Sequence, residues 1–172
     1  ARTGEILNAS ILINSNMISV QYMDRIAATA AVDPRVRTDI FPQEIQGELI
    51  QAAIAQAVGT GLGLAPNWGA SVAYPVDSLR SASFTQKYGL AYSVMGGVVI
   101  NDVATADDVR KGVRLVNTIP GPYDELVIKY LYQPIYASSL QEEKAILDSW
   151  IRQHTGDPRY AYIRSQSRFD SD

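Results

Sequence analysis

The chain has 172 residues, 47% of them hydrophobic and 19% charged, with fifteen basic and eighteen acidic side chains for a formal net charge of −3. A chain of this size buries roughly 70% of its unfolded surface, so one domain holds a core without disulfide or metal, while bulk disorder, a fibrous repeat and a second full-sized domain are excluded. The slight acidic excess speaks against a nucleic-acid partner; the absence of cysteine, with His154 as the only histidine, removes thiol chemistry, disulfides, thiolate metal sites and mechanisms that need several histidines.

The chain opens at Ala1, without Met, and passes at once into an apolar run. It is expected to be either a processed mature chain or an excised piece of a larger protein, with residues 1–172 forming a single domain. Glu5 to Asn14, where Ile11 and Ile13 alternate with Leu12, predicts a strand buried on one face. Met17 to Ala31 changes to helical spacing, with Ile18, Tyr22 and Ile26 on one face, and Asp33-Pro34 ends it. Pro42 suits the first turn of the strongest helix, because its missing N–H costs nothing there. Ile45, Leu49, Ala52 or Ala53 and Gln56 mark one face of it; Ile50, Ile54 and Val58 mark the next. Gly59, Gly61 and Gly63 are expected to stop it.

Trp68 to Val76 reads as loop or extended chain. Asp77 is expected to cap a helix from Ser78 to Tyr88, with Gly89 past its end. Gly96-Gly97 turns the chain into a short buried segment at Val98, Val99 and Ile100. Thr105 caps a short helix ending near Lys111. Pro120, Gly121 and Pro122 precede a helix from Tyr123 to Tyr132. Ser139 and Glu142 have the spacing of a capping box for a last long helix that ends at Gly156. Beyond it the chain is polar, with Tyr160, Tyr162 and Phe169 as anchors. No apolar run reaches the ~20 residues of a membrane-spanning helix.

One stretch, Gln56-Ala57-Val58-Gly59-Thr60-Gly61-Leu62-Gly63-Leu64-Ala65-Pro66-Asn67, has the frame of a zinc-peptidase helix. In metzincin-type peptidases this place reads His-Glu-x-x-His-x-x-Gly-x-x-His. Histidines at i and i+4 share a helix face and hold Zn²⁺, and the Glu is the general base for the metal-bound water. On that frame Gln56 and Thr60 take the two helix-ligand positions, Ala57 the base and Pro66 the third ligand. Gly63 is the retained turn glycine. Downstream, Ser93-Val94-Met95 is similar to the Ser-Ile-Met of the family's Met-turn, which places Met95 beneath the metal position.

Further stretches are similar to the same family: Asn67-Trp68, Tyr74-Pro75-Val76-Asp77-Ser78-Leu79-Arg80-Ser81, Phe84-Thr85-Gln86-Lys87-Tyr88-Gly89, Gly121-Pro122-Tyr123-Asp124 and Tyr130-Leu131-Tyr132-Gln133-Pro134-Ile135. From about Arg2 to about Tyr160 the chain resembles the catalytic domain of large, exported bacterial zinc-dependent metalloproteases. The resemblance implies an α+β, predominantly helical fold: the C-terminal larger part of a metzincin-like domain, with little sheet. It makes Glu5 to Asn14 the edge strand over the cleft. It also implies zinc as the family cofactor and an exported, periplasmic or cell-surface location.

The departures fall on the chemistry. The family's three histidines and its Glu are absent, and Gly96-Gly97 stand where the family has Asp and Tyr. Catalytic residues, metal ligands and cofactor are therefore expected to be none. The function that follows is a metallopeptidase-like domain without peptide hydrolysis, left by natural loss or deliberate replacement, with a binding or structural role and a peptide or protein in the former cleft. Two rivals stand beside it: an active zinc-dependent peptidase or hydrolase with other ligands, and a structural piece whose function lies in a larger chain.

The remaining candidates read as structure. Amide and hydroxyl oxygens are poor Zn²⁺ ligands, so Gln56 and Thr60 are read as helix positions, with Thr60 bonding a backbone carbonyl. His154 suits the end of the last helix, and Asp107-Asp108 and Glu142-Glu143 suit first turns. Tyr123, Tyr130, Tyr132 and Tyr136 read as core packing. Gly59, Gly61 and Gly63 follow a helix instead of opening one, which excludes a phosphate loop. Serines near His154 lack a nucleophile-elbow pattern.

Overall fold

The helix expected after Pro42 forms, and the main core is built on it. In the computed structural model, which describes residues 5–13, 15–72, 74–97 and 99–164, this helix is α2, Gln43–Gly61. It follows α1 (Ser15–Thr29) and precedes α3 (Val76–Leu79), α4 (Ala82–Tyr88), α5 (Ala106–Arg110), α6 (Pro122–Tyr132) and α7 (Leu140–Arg152). Single 3-10 turns lie at Pro34–Val36, Trp68–Ser71 and Pro158–Tyr160. The β pairing found among the described residues is one antiparallel bridge, Ile100 to Val116. The protein is mainly helical with almost no sheet, as the sequence implies.

Ile45, Leu49 and Ala52 on α2 pack with Val36, Phe41 and Val116, and Tyr22 and Ile26 of α1, with Ala30 just past its end, close over them. Tyr22 stacks on Phe41 at 4.7 Å. Arg25 of α1 is fully buried and donates to Asp33 at 2.7 Å, and Asp33 also accepts from Arg35. A buried charge needs such a partner, so this pair fixes how α1 leaves the core. A smaller cluster, Ala104, Val113 and Leu115, seats α5 against Ala82.

Several local expectations are corrected. Residues 5–13 form no strand and are exposed throughout, Leu7 and Leu12 at 88%. A strand needs a neighbour, and none is present among the described residues; Asn14 lies outside them. Ile6 and Ala9 instead lie near the end of α2, where a Cβ added at Gly63 or Gly61 would stand 3.5 Å and 3.4 Å from them.

Gly59 and Gly61 do not stop α2, which runs through both. Only Gly63 turns, at φ +89°. Leu64 N–H donates to Gly59 and Gly63 N–H to Thr60, the paired bonds of a Schellman ending. The helix expected from Ser78 to Tyr88 is two helices broken at Arg80 and Ser81. Asp77 lies in the first turn of α3, and the side-chain cap belongs to Ser81 at the head of α4. Trp68–Ser71 is a 3-10 turn within the expected loop.

The capping box of Thr105 is reciprocal with Asp108. That of Ser139 is not: Glu142 accepts from Ser138. α7 ends at Arg152, and Gly156 follows with φ +85°. Tyr130, Tyr132 and Tyr136 are exposed at 40%, 48% and 96%, so only half-buried Tyr123 packs as expected, stacked on Tyr162. Val98 and Phe169 lie outside the described residues.

Candidate functional site

Three positions of the zinc-peptidase frame, Gln56, Ala57 and Thr60, lie on the last turns of α2. Half-buried Gln56 donates its amide to the carbonyl of Gly96 at 3.4 Å. One turn on, the Thr60 hydroxyl donates to the Gln56 carbonyl at 3.1 Å, the backbone bond expected of it. Between them Gly59 is buried, and a Cβ there would stand 2.6 Å from Met95 Sδ. The missing side chain at Gly59 is what lets the methionine seat against the helix. Ala57 is half-buried and carries no polar atom. Pro66 is exposed beyond the Gly63 turn and is not held to the others by any hydrogen bond.

The Met-turn is held from behind by a residue that the sequence reading left without a role. Asp124 is buried at 4% exposure and accepts three hydrogen bonds. They come from Ser93 Oγ at 2.5 Å, Val94 N–H at 2.8 Å and Gly121 N–H at 2.9 Å. The Ser93 hydroxyl in turn accepts from Met95 N–H at 3.0 Å. Each bond satisfies a buried donor that would otherwise cost about 1–3 kcal/mol.

Asn67, fully buried, holds the other side. Its N–H donates to Met95 carbonyl at 3.0 Å. Its side-chain oxygen accepts from Gly69 and Ile163, and its amide donates to Ala161 at 2.9 Å. Asp124 and Asn67 both lie inside motifs quoted above. Short polar side chains beside turn-forming residues were the legible signal.

Gly97 lies under the Trp68 ring, and a Cβ there would meet it at 2.9 Å. The 3-10 turn at Trp68–Ser71 thus occupies the space a side chain at position 97 would need.

The Met-zincin family matches residues 38–172, most of the chain. The chain belongs to the Met-zincin family. No curated protein and no solved structure gave a match.

The family implies zinc, and a zinc site wants imidazole, thiolate or carboxylate donors. The four frame positions of this Met-zincin supply one amide and one hydroxyl, both already donating to backbone carbonyls. That donor set does not fit Zn²⁺. Among the described residues no three His, Cys, Asp or Glu side chains gather into a metal-holding group, and no helix there is long and apolar enough to cross a membrane.

The acidic pairs are structural. Asp108 accepts from Arg80 at 2.8 Å and from Thr105, and these bonds pull its pKa down to about 2. His154 lies past the end of α7, half-buried, with its ring stacked on Tyr160 at 3.8 Å.

Proposed function

We propose that this Met-zincin domain does not hydrolyse peptides and acts by binding a peptide or protein along the former cleft, outside the cytoplasm. The observation that carries the reading is the use made of Gln56 and Thr60. Their polar groups are spent within the scaffold, and Ala57 stands where a proton acceptor would have to be. General-base help is typically worth ~10²–10⁴ in rate, and nothing at position 57 can supply it.

An apolar cavity of about 230 Å³ lies on the face of α2 turned away from Gln56 and Thr60, lined by Val58, Leu62, Val94 and Ile128 and by none of the four frame positions. Val58 and Leu62 are 39% and 38% exposed, so side chains of a partner can reach them. The exported, periplasmic or cell-surface setting rests on the family resemblance alone.

Elemental analysis and a protease assay test this reading. Protein purified without chelator is expected to carry far less than one zinc per chain and to leave a casein substrate intact. A tightly held equivalent of zinc with chelator-sensitive cleavage would establish the rival, an active peptidase with other ligands.

A further inference from the structure

Half of the chain's eight prolines, Pro75, Pro120, Pro122 and Pro158, line one cavity of about 660 Å³. Its walls come from the start of α3, from α4, from the first turn of α6 and from the 3-10 turn at Pro158–Tyr160. No residue of the zinc-peptidase frame touches it. The volume falls within the roughly 300–1,000 Å³ typical of ligand clefts.

Three aromatic rings form a ladder along this cavity. Tyr74 meets Phe84 edge to face at 5.0 Å, and Phe84 meets Tyr88 at 4.9 Å. Tyr92, fully buried, braces Tyr74 from behind at 4.9 Å. The outer rings of the ladder therefore stand at most about 10 Å apart, a length that one three-residue turn of polyproline II helix, with its ~9 Å rise, can cover.

The polar groups on the walls are mainly donors. Tyr74, Tyr88 and Ser78 present hydroxyls, and the Lys87 ammonium lies over the Tyr88 ring at 4.9 Å. Burial pushes the Tyr74 phenol above the ordinary tyrosine range, so it keeps its proton. Asp157 is held by Arg159, whose Nε and guanidinium nitrogen reach both carboxylate oxygens. Glu125 is the other carboxylate on the walls. The wall prolines have no N–H of their own.

We propose that this cavity binds proline-rich peptide segments in the polyproline II conformation. Such a segment offers carbonyl acceptors and no N–H donors, which complements a wall of hydroxyls and an ammonium group. Its rings pack along the outer side of the ladder, whose own rings touch one another, and it is already extended before it binds, so little ordering entropy is lost. Glu125 favours a basic residue flanking the proline run. The site contains none of Gln56, Ala57, Thr60 and Pro66, so it stands whether or not the domain proves catalytic.

The test is isothermal titration of the full chain with a blocked octaproline peptide and with a blocked Gly-Ser octapeptide. Octaproline is expected to bind saturably and the Gly-Ser peptide not to bind. Tyr88 is 44% exposed, so Tyr88→Ala is expected to keep the melting temperature of the parent. It should weaken octaproline binding by about five-fold or more, the effect of one well-placed aromatic contact. Tyr88→Phe keeps the ring and should fall between the two. Tyr130→Ala, on the neighbouring cavity between α6 and residues 154–162, should leave binding unchanged. Absence of saturable binding, equal binding of the two peptides, or loss with Tyr130→Ala but not with Tyr88→Ala overturns the proposal.

Discussion

Ser93 donates its hydroxyl to Asp124 at 2.5 Å, joining the Met-turn to the head of α6 across 31 residues of chain. The same carboxylate accepts from Val94 and Gly121, so a single buried side chain fixes both the turn and the helix start. Asp124→Ala leaves three donors without an acceptor and is expected to cost about 3–5 kcal/mol. Asp124→Asn keeps one carbonyl oxygen and should cost less. Urea denaturation of the two variants checks the order.

Gly59 and Met95 are coupled by contact. In a helix, Gly→Ala alone gains about 1 kcal/mol, whereas forcing a methyl into a filled core costs about 1–3 kcal/mol. With Met95 Sδ 2.6 Å from the new carbon, the clash is expected to win, and Gly59→Ala should destabilise by about 1 kcal/mol. In a Met95→Ala background the obstacle is gone and the same change should stabilise. A double-mutant cycle that shows simple additivity contradicts this packing.

Acid should expose the Asp108 cap. Arg80, first, and Thr105 hold its folded pKa at about 2, below the ordinary carboxylate range. A depressed carboxylate stabilises the fold fully above the unfolded pKa and loses that contribution as pH falls through the folded one. Asp157, held by Arg159 at about 2, titrates in the same window. Stability is expected to fall between about pH 4 and pH 2, and Asp108→Asn should flatten part of that slope. Denaturation midpoints measured across this range decide it.

Gln56→His, Thr60→His and Pro66→His together are expected to create zinc binding, because Gly63 still makes the turn after α2. Proteolysis should additionally require Ala57→Glu, a role worth ~10²–10⁴ in rate. Replacing Gly97 by Tyr should hinder instead of help, since the new side chain meets Trp68. Titration with Zn²⁺ tests the alignment: a triple variant that binds no better than the parent means that the three positions do not converge.

Helices whose apolar spacing, caps and stops agree were legible in the sequence. α2, α5 and α6 lie within a residue or two of where Pro42, Thr105 and Pro122 put them. Residues 5–13 misled because alternation marks a strand's faces but says nothing about whether a partner strand exists. The break at Arg80–Ser81 was hidden because Asp77 and Ser81 are both good caps, and only the structure shows which side chain accepts from the helix N–H groups. At the site, the replaced frame was readable residue by residue. The clamps showed only as short polar side chains beside turn-forming residues, because Asp124 and Asn67 also reach partners as far as 31 and 96 positions away.

The Asn67 bonds set an order of assembly. Ala161 and Ile163 lie 94 and 96 residues downstream, yet they complete the shell around the residue that holds Met95. As the chain emerges from its N-terminus during synthesis, α2 and the Met-turn are made long before the strap that secures them. Closing so long a loop carries an entropic cost that local helix formation does not. The Met-turn is therefore among the last parts of the fold to become rigid, and a chain cut short after Tyr160 would reach its helices but leave the Asn67 side chain unfinished.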